Sequence, residues 1–347
     1  MRNTVSRTII GYVMVILAAL CWATIGLFYT VAVKTFNLPA LTVVMYRTLL
    51  AGLLLGGGLL LRREPFWRVR REHVPLFVGY ISLGIGVFYA VYIQAIIMVG
   101  VSVAAVLLYT APAWVAVMAR LFLHEPMTRR VGIALLLTWL GVSLVAQVYD
   151  VQGVRLNFWG LLAGLGAGLT YGLYSVFQKV AVRHYSPWTV QWHGLFWGSV
   201  LFALIQSPAD VLAPLYLPEV WPWLLGLAVV PTLGGGLAYA TGIQWVPVSV
   251  ASIVATLEPV AATVLGYLFL GEQLSWPQWI GAACILLAVV LLRPRSGEDQ
   301  PVDGRELQRA YQLRSGSAPS PSLGRHGQDQ QQGNAPGQRV FHQNAGR

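Results

Sequence analysis

Charged side chains are scarce in this chain: Asp, Glu, Lys and Arg make up only 10% of its 347 residues, against about 25% in an ordinary soluble domain. With 56% hydrophobic residues and a mean hydropathy of +0.62, the composition is that of an integral membrane protein. Cysteine is almost missing. Cys21 and Cys284 both lie inside apolar runs, so they supply neither a disulfide framework nor a thiolate metal site. Leu20, immediately before Cys21, is not the small residue that lipoprotein processing needs. No glycine-rich phosphate loop ending in Gly-Lys-Ser/Thr is present, which excludes ATP-driven pumping by this chain alone, and no cofactor is expected. Acids are fewer than bases, 13 against 23, for a net charge of +10. The bases sit between apolar runs rather than along one face, which matches a membrane surface and not nucleic acid.

What is present is apolar and periodic. Ten spans can be drawn, at residues 10–33, 40–61, 74–93, 98–118, 131–148, 157–180, 187–206, 222–245, 249–271 and 276–293. About 20 apolar residues cross a bilayer as a helix. The first run continues to Val33, too long for the core of a signal peptide, and reads as a first membrane helix. Ser186 before Pro187, and Ser275 with Gln278, mark helix starts. Fourteen Lys and Arg fall at the N-terminus and in alternate connections, among them Arg62, Arg63, Arg68, Arg70 and Arg71, whereas the other side has only Lys34 and Arg155. Basic connections stay cytoplasmic. The expectation is therefore a multi-pass protein of the inner (plasma) membrane with both termini cytoplasmic.

The stretch from Val248 to Ser275 organises the rest, because it is apolar for a bilayer's width yet carries Glu258 near its middle with Pro259 directly after it. A charge at mid-membrane costs roughly 2.5 kcal/mol or more, so such an acid needs a function or a partner. Pro259 has no N–H for the carbonyl of Ala255, which leaves a backbone acceptor to satisfy. The same stretch occurs 147 residues earlier, with ten identities in 28 ungapped positions, including Pro112 for Pro259 and Glu125 for Glu272. Glu258 has no acidic counterpart, since Ala111 stands there. Tyr89 and Gln94 match Tyr239 and Gln244 at an offset of 150, and Trp22 matches Tyr171 at 149. Five helices per half is an odd number, so the halves insert with opposite orientation. The domains expected are residues 1–148 (first repeat, helices 1–5), an external linker at 149–156, residues 157–295 (second repeat, helices 6–10) and a disordered cytoplasmic tail at 296–347.

Paired proline-interrupted segments in two halves point to a transporter's central site. The substrate-binding candidates are Glu258, Trp22, Tyr89, Gln94, Tyr109, Tyr171, Tyr239 and Gln244, a set suited to an amphipathic or aromatic organic solute. Glu258, Arg47 and His193 are the intramembrane charge candidates, with Glu258 either exchanging a proton or pairing with a substrate amine. Pro112 and Pro259 are the helix-break candidates. Glu125 and Glu272 read as loop and cap residues. Gly160, Gly164, Gly168 and Gly172 strip one face of the sixth helix for close packing, and Gly234 to Gly236 after Pro231 predict a bend in the eighth.

The paired segments VSVAAVLLYTAPAW…LFLHEPMT and VSVASIVATLEPVA…LFLGEQLS, with Arg47 in the second helix, resemble the two EamA domains of the drug/metabolite transporter superfamily. The resemblance covers residues 10 to 293. Gly132 follows Glu125 by seven residues whereas Gly281 follows Glu272 by nine, a shorter connection than the family's usual form. What the resemblance implies is an all-α protein of ten transmembrane helices in two inverted five-helix repeats. Its cavity would lie between helices one, three, four, six, eight and nine, and it would commonly export amino acids or related metabolites by alternating access. The expected partners are a small-molecule substrate and the lipid bilayer, with a homodimer left open. A lipid-linked sugar flippase of the same fold is the alternative. An intramembrane enzyme is disfavoured, because Glu258, Arg47 and His193 are too few and too scattered for a catalytic or metal centre.

Overall fold

The computed structural model describes residues 2–63, 65–149, 157–270 and 273–293. Among them there is helix and no strand, as a bilayer demands of an open chain: a helix satisfies its own backbone N–H and C=O groups without water. Seven helical segments are long and apolar enough to cross a membrane: α1 (Arg7–Thr35), α2 (Ala40–Leu61), α3 (Arg71–Val99), α4 (Val101–Phe122), α6 (Phe158–Ala181), α8 (Pro218–Trp245) and α9 (Val248–Phe269). Between and after them lie α5 (Arg129–Val145), α7 (Pro187–Leu204) and α10 (Trp276–Leu291). α5 and α10, at 17 and 16 residues, are shorter than a full span. α7 is diluted by Gln191, His193 and three tryptophans. Residues 150–156 of the linker expected at 149–156, Glu272, and the tail expected at 296–347 lie outside the described residues.

Sequence starts are used as their chemistry suggests. Ser186 Oγ accepts from Thr189 N at 3.2 Å, with Pro187 at the first helical position. Ser275 N donates to Gln278 Oε1 at 2.9 Å to close a capping box on α10. In α8, residues Ala228–Gly235 wind as a wider π-helical segment that contains Pro231, and regular helix resumes at Gly236. α3 carries a second π segment at Ser82–Val87, the counterpart stretch of the first half. Such bulges absorb a residue that the ordinary ladder cannot, and they recur at functional sites.

The packing partners form a pattern. α1 lies against α8 and α3 against α6, while α2 packs on α7, α4 on α9 and α5 on α10. Small residues permit the closest of these approaches. A Cβ at Gly168 of α6 would stand 2.4 Å from Thr110 Oγ1 and 2.8 Å from the Leu107 carbonyl of α4, so only glycine fits there. The large exposed side chains, among them Leu61, Leu136, Phe158 and Leu204, would be anomalous in water but are ordinary on a surface solvated by lipid.

Candidate functional site

α4 and α9 are each broken near the middle, and the breaks are in register. α4 is interrupted at Tyr109–Thr110, between Val101–Leu108 and Ala111–Phe122, and α9 at Ala255–Thr256, between Val248–Val254 and Leu257–Leu270. Proline follows each break by two or three residues, at Pro112 and Pro259. The groups freed there find local partners: Thr110 and Thr256 hydroxyls donate to the Leu107 and Ile253 carbonyls, both at 2.6 Å. The Ala255 carbonyl, which Pro259 cannot serve, accepts from Glu258 N at 3.0 Å. Its satisfaction comes from the break itself and needs no side chain.

Between the two breaks lies a small cavity lined by Tyr109, Ala111, Pro112 and Val115 of α4, Tyr171 and Ser175 of α6, Tyr239 of α8, and Ser252, Ala255, Thr256 and Glu258 of α9. It leaves about 10 Å³ for the centre of a water molecule, room for roughly one water. The Glu258 carboxyl and the Tyr109 hydroxyl both face this cavity. Neither Glu258 nor Arg47 forms an ion pair among the described residues.

Aromatic side chains wall the site. Tyr239 is buried, donates to Ser175 Oγ at 3.1 Å and packs on Trp22 at a ring separation of 5.2 Å. Tyr171 stacks parallel on Tyr174 at 5.9 Å and meets Phe88 at 5.3 Å. Arg47 of α2 donates to the Tyr89 hydroxyl of α3, and its Nε is buried with no hydrogen-bond partner. A guanidinium N–H left unsatisfied inside a protein is costly, so the site has a donor to spare.

Of the eight substrate-binding candidates, the structure puts Glu258, Tyr109, Tyr171 and Tyr239 on the cavity wall, with Trp22 behind Tyr239 and Tyr89 beside Arg47. Gln94 and Gln244 are not brought to it. Gln94 is exposed five residues before the end of α3, and Gln244 stands one residue from the end of α8. Their sequence match places both near helix ends rather than beside the breaks. His193 is likewise elsewhere. It is buried, its Nε2 lies 3.2 Å from the Phe66 carbonyl, and its ring packs on Phe77 and Trp192. These contacts join the α2–α3 connection and α3 to α7.

A polar group that sequence reading passed over lies beside the aromatic wall. Gln178 of α6 donates to the hydroxyls of Tyr80 and Tyr174, both at 3.3 Å, and to Gln191 Oε1 of α7 at 3.2 Å. Amides inside apolar spans were the available signal, since a buried amide requires partners. Lys179 was also missed: its buried ammonium donates to the carbonyls of Ile243 and Val246.

Comparison with known proteins agrees with this architecture. The profile described as the EamA-like transporter family matches residues 9–147 and again 158–293. An uncharacterized transporter of Archaeoglobus fulgidus is 34% identical over 220 residues, 60% of this chain and 74% of the relative. The threonine/homoserine exporter RhtA of Escherichia coli K12 is 30% identical over 232 residues, 64% of this chain and 72% of RhtA. The pseudopaline exporter CntI of Pseudomonas aeruginosa is 25% identical over 227 residues, 65% of this chain and 75% of CntI. A solved crystal structure at 18% identity superposes with a TM-score of 0.67, covering 82% of this chain and 96% of its own, which establishes the shared fold. With the family profile matched over most of its length and the broken-helix site at its centre, the chain belongs to the EamA-like transporter family and is a multi-pass small-molecule transporter.

Proposed function

We propose that this chain is a secondary transporter that exports a small zwitterionic metabolite, such as an amino acid or a related compound, by alternating access through the cavity between α4 and α9. The observation that carries this reading is the pair of uncommitted charges. Glu258 faces the cavity and forms no ion pair among the described residues, and Arg47 Nε is buried without a hydrogen-bond partner. A solute bearing an ammonium and a carboxylate complements both. The cavity has room for about one water in this state, so loading requires the halves to part, as alternating access supposes.

In this reading all ten helices cross the membrane as two inverted repeats, residues 1–148 and 157–295, with both termini cytoplasmic. The packing pairs support it: exchanging the halves turns α1–α8 into α6–α3 and returns α2–α7, α4–α9 and α5–α10 to themselves. The Arg-rich connection after α2 supports the orientation.

The test is counterflow of labelled amino acids in proteoliposomes loaded with candidate solutes, with wild type compared to Glu258→Gln. Solute-dependent accumulation in wild type that is lost in the variant supports the proposal; equal accumulation in both would remove Glu258 from it.

A second reading, translocation of a lipid-linked sugar, is favoured by one observation. Beside the cavity, and sharing Tyr109 and Pro112 with it, an apolar groove between α4 and α5 is lined by Leu135, Leu136, Thr138 and Trp139. Leu136 and Trp139 are exposed on its rim, on the side that faces lipid. Scrambling of a fluorescent lipid-linked glycan by the same proteoliposomes, without amino-acid counterflow, would select it.

A further inference from the structure

The connection between α8 and α9 consists of Val246 and Pro247 alone, and Pro247 offers no side-chain cap to the helix it precedes. The first N–H groups of α9 would therefore be orphaned. Their acceptor comes from the other half of the chain. Glu125 follows α4 after His124, which takes a left-handed conformation at φ 58°, and Glu125 N is tied back to the Ala119 carbonyl at 3.1 Å. So held, its carboxylate lies across the start of α9. Oε1 accepts from Val248 N at 2.9 Å, and Oε2 accepts from Ser249 N at 3.1 Å and from Ser249 Oγ at 2.6 Å.

The end of α8 is held in the complementary way. Lys179 of α6, buried to 8% exposure, donates to the Ile243 carbonyl and, at 2.8 Å, to that of Val246. A carboxylate on the positive end of one helix and an ammonium on the negative end of the next both oppose the local dipole, and both make charge-assisted bonds. Glu125 and Lys179 thus hold the two sides of one two-residue connection.

At the equivalent place in the first half the described residues are exposed. α4 begins at Gly100, which caps without a side-chain bond, and Val101 is 65% exposed with Ser102 exposed beside it. Their counterparts Val248 and Ser249 are 0% and 4% exposed. Among the described residues, the start of α9 is capped and buried whereas the matched start of α4 is exposed; Glu272, the counterpart of Glu125, lies outside the described residues.

We propose that Glu125 and Lys179 are the latch that closes the α8–α9 end of the transport pathway, and that opening this end requires α8 and α9 to leave them. The inference rests on alternating access as proposed above, and assigns the closing contact within it. It also gives Glu125 a role that reaches the site, because α9 carries Ser252, Thr256 and Glu258 within three turns of the capped end.

Side-selective labelling tests the latch without any substrate. In the full chain with both native cysteines replaced by Ala, a Ser252→Cys reporter is reacted with a membrane-impermeant maleimide, in right-side-out and in inside-out vesicles. With Glu125 intact, labelling from the α8–α9 side is slow. In Glu125→Gln, which keeps the size and loses the charge, labelling from that side rises about tenfold or more, and labelling from the α4 end does not rise. Unchanged labelling in Glu125→Gln overturns the latch, as does an equal rise from both sides, which would mean general loosening. Should that variant not fold, Ser249→Ala removes one of the three bonds at a solvent-independent position; about a threefold rise from the α8–α9 side is then expected, and no rise overturns the proposal. Solute flux, measured separately, judges the transport reading on its own.

Discussion

Tyr109 and Glu258 face one cavity from the two broken helices, Tyr109 in the break of α4 and Glu258 two residues after the break of α9. The acid of one broken helix thus shares its cavity with the hydroxyl of the other, and Ala111 stands in Glu258's equivalent position.

This shared cavity frames the first prediction. Glu258→Gln keeps the size and the ability to accept a hydrogen bond, but it can neither bind an ammonium as an anion nor exchange a proton. It is expected to express and to unfold at a temperature close to wild type, while coupled flux in proteoliposomes falls at least about tenfold, a loss of about 1.4 kcal/mol or more in the coupled step. Flux within twofold of wild type would make Glu258 structural.

Much of this arrangement was legible before the fold was known. An acid inside an apolar span, a proline beside it and an internal repeat are each local in sequence, and together they located Glu258, Pro112, Pro259 and the tyrosines around them. Gln94 and Gln244 lie away from the breaks for a physical reason: both stand near the ends of their helices, whereas the breaks fall mid-helix. His193 failed because a histidine in a span reports burial without saying which neighbour satisfies it. Glu125 read as a cap from its sequence, yet nothing in the sequence could say that the capped helix belongs to the other half.

A second prediction concerns Arg47. Its guanidinium donates to Tyr89, lies 5.9 Å from that ring's centre and retains a buried Nε without a partner. Lysine keeps the charge but has no planar fork for a carboxylate. Arg47→Lys is therefore expected to raise the half-saturating solute concentration about tenfold, with the maximal rate changed far less. A lowered maximal rate at unchanged half-saturation would assign Arg47 to the helix movement instead.

His193 provides a contrast. With its ring between Phe77 and Trp192 and one bond to the Phe66 carbonyl, it acts on stability alone. His193→Gln should cost about 1 kcal/mol, read as a lower unfolding temperature in detergent, and leave the flux of the folded fraction unaltered. Loss of flux without loss of stability would return His193 to the coupling machinery.

The last prediction uses two glycines of α6, Gly168 within the stripe of every fourth residue and Gly166 outside it. At Gly168 a methyl group would sit 2.4 Å from Thr110 Oγ1 and 2.8 Å from the Leu107 carbonyl, whereas at Gly166 it would meet nothing within 4 Å. The Leu107 carbonyl belongs to the backbone on which the break in α4 turns, and Thr110 already donates to it. A methyl at residue 168 must therefore push α4 and Tyr109 away from α6. Gly168→Ala is expected to destabilise by about 1 to 3 kcal/mol through overpacking, and to lower flux because Tyr109 shifts with the break. Gly166→Ala should be neutral or stabilise by up to about 1 kcal/mol, from helix propensity. Thermal unfolding and flux measured on both variants decide it: equal behaviour of the two would mean that the close approach of α6 to the broken helix carries no weight in either the fold or the transport cycle.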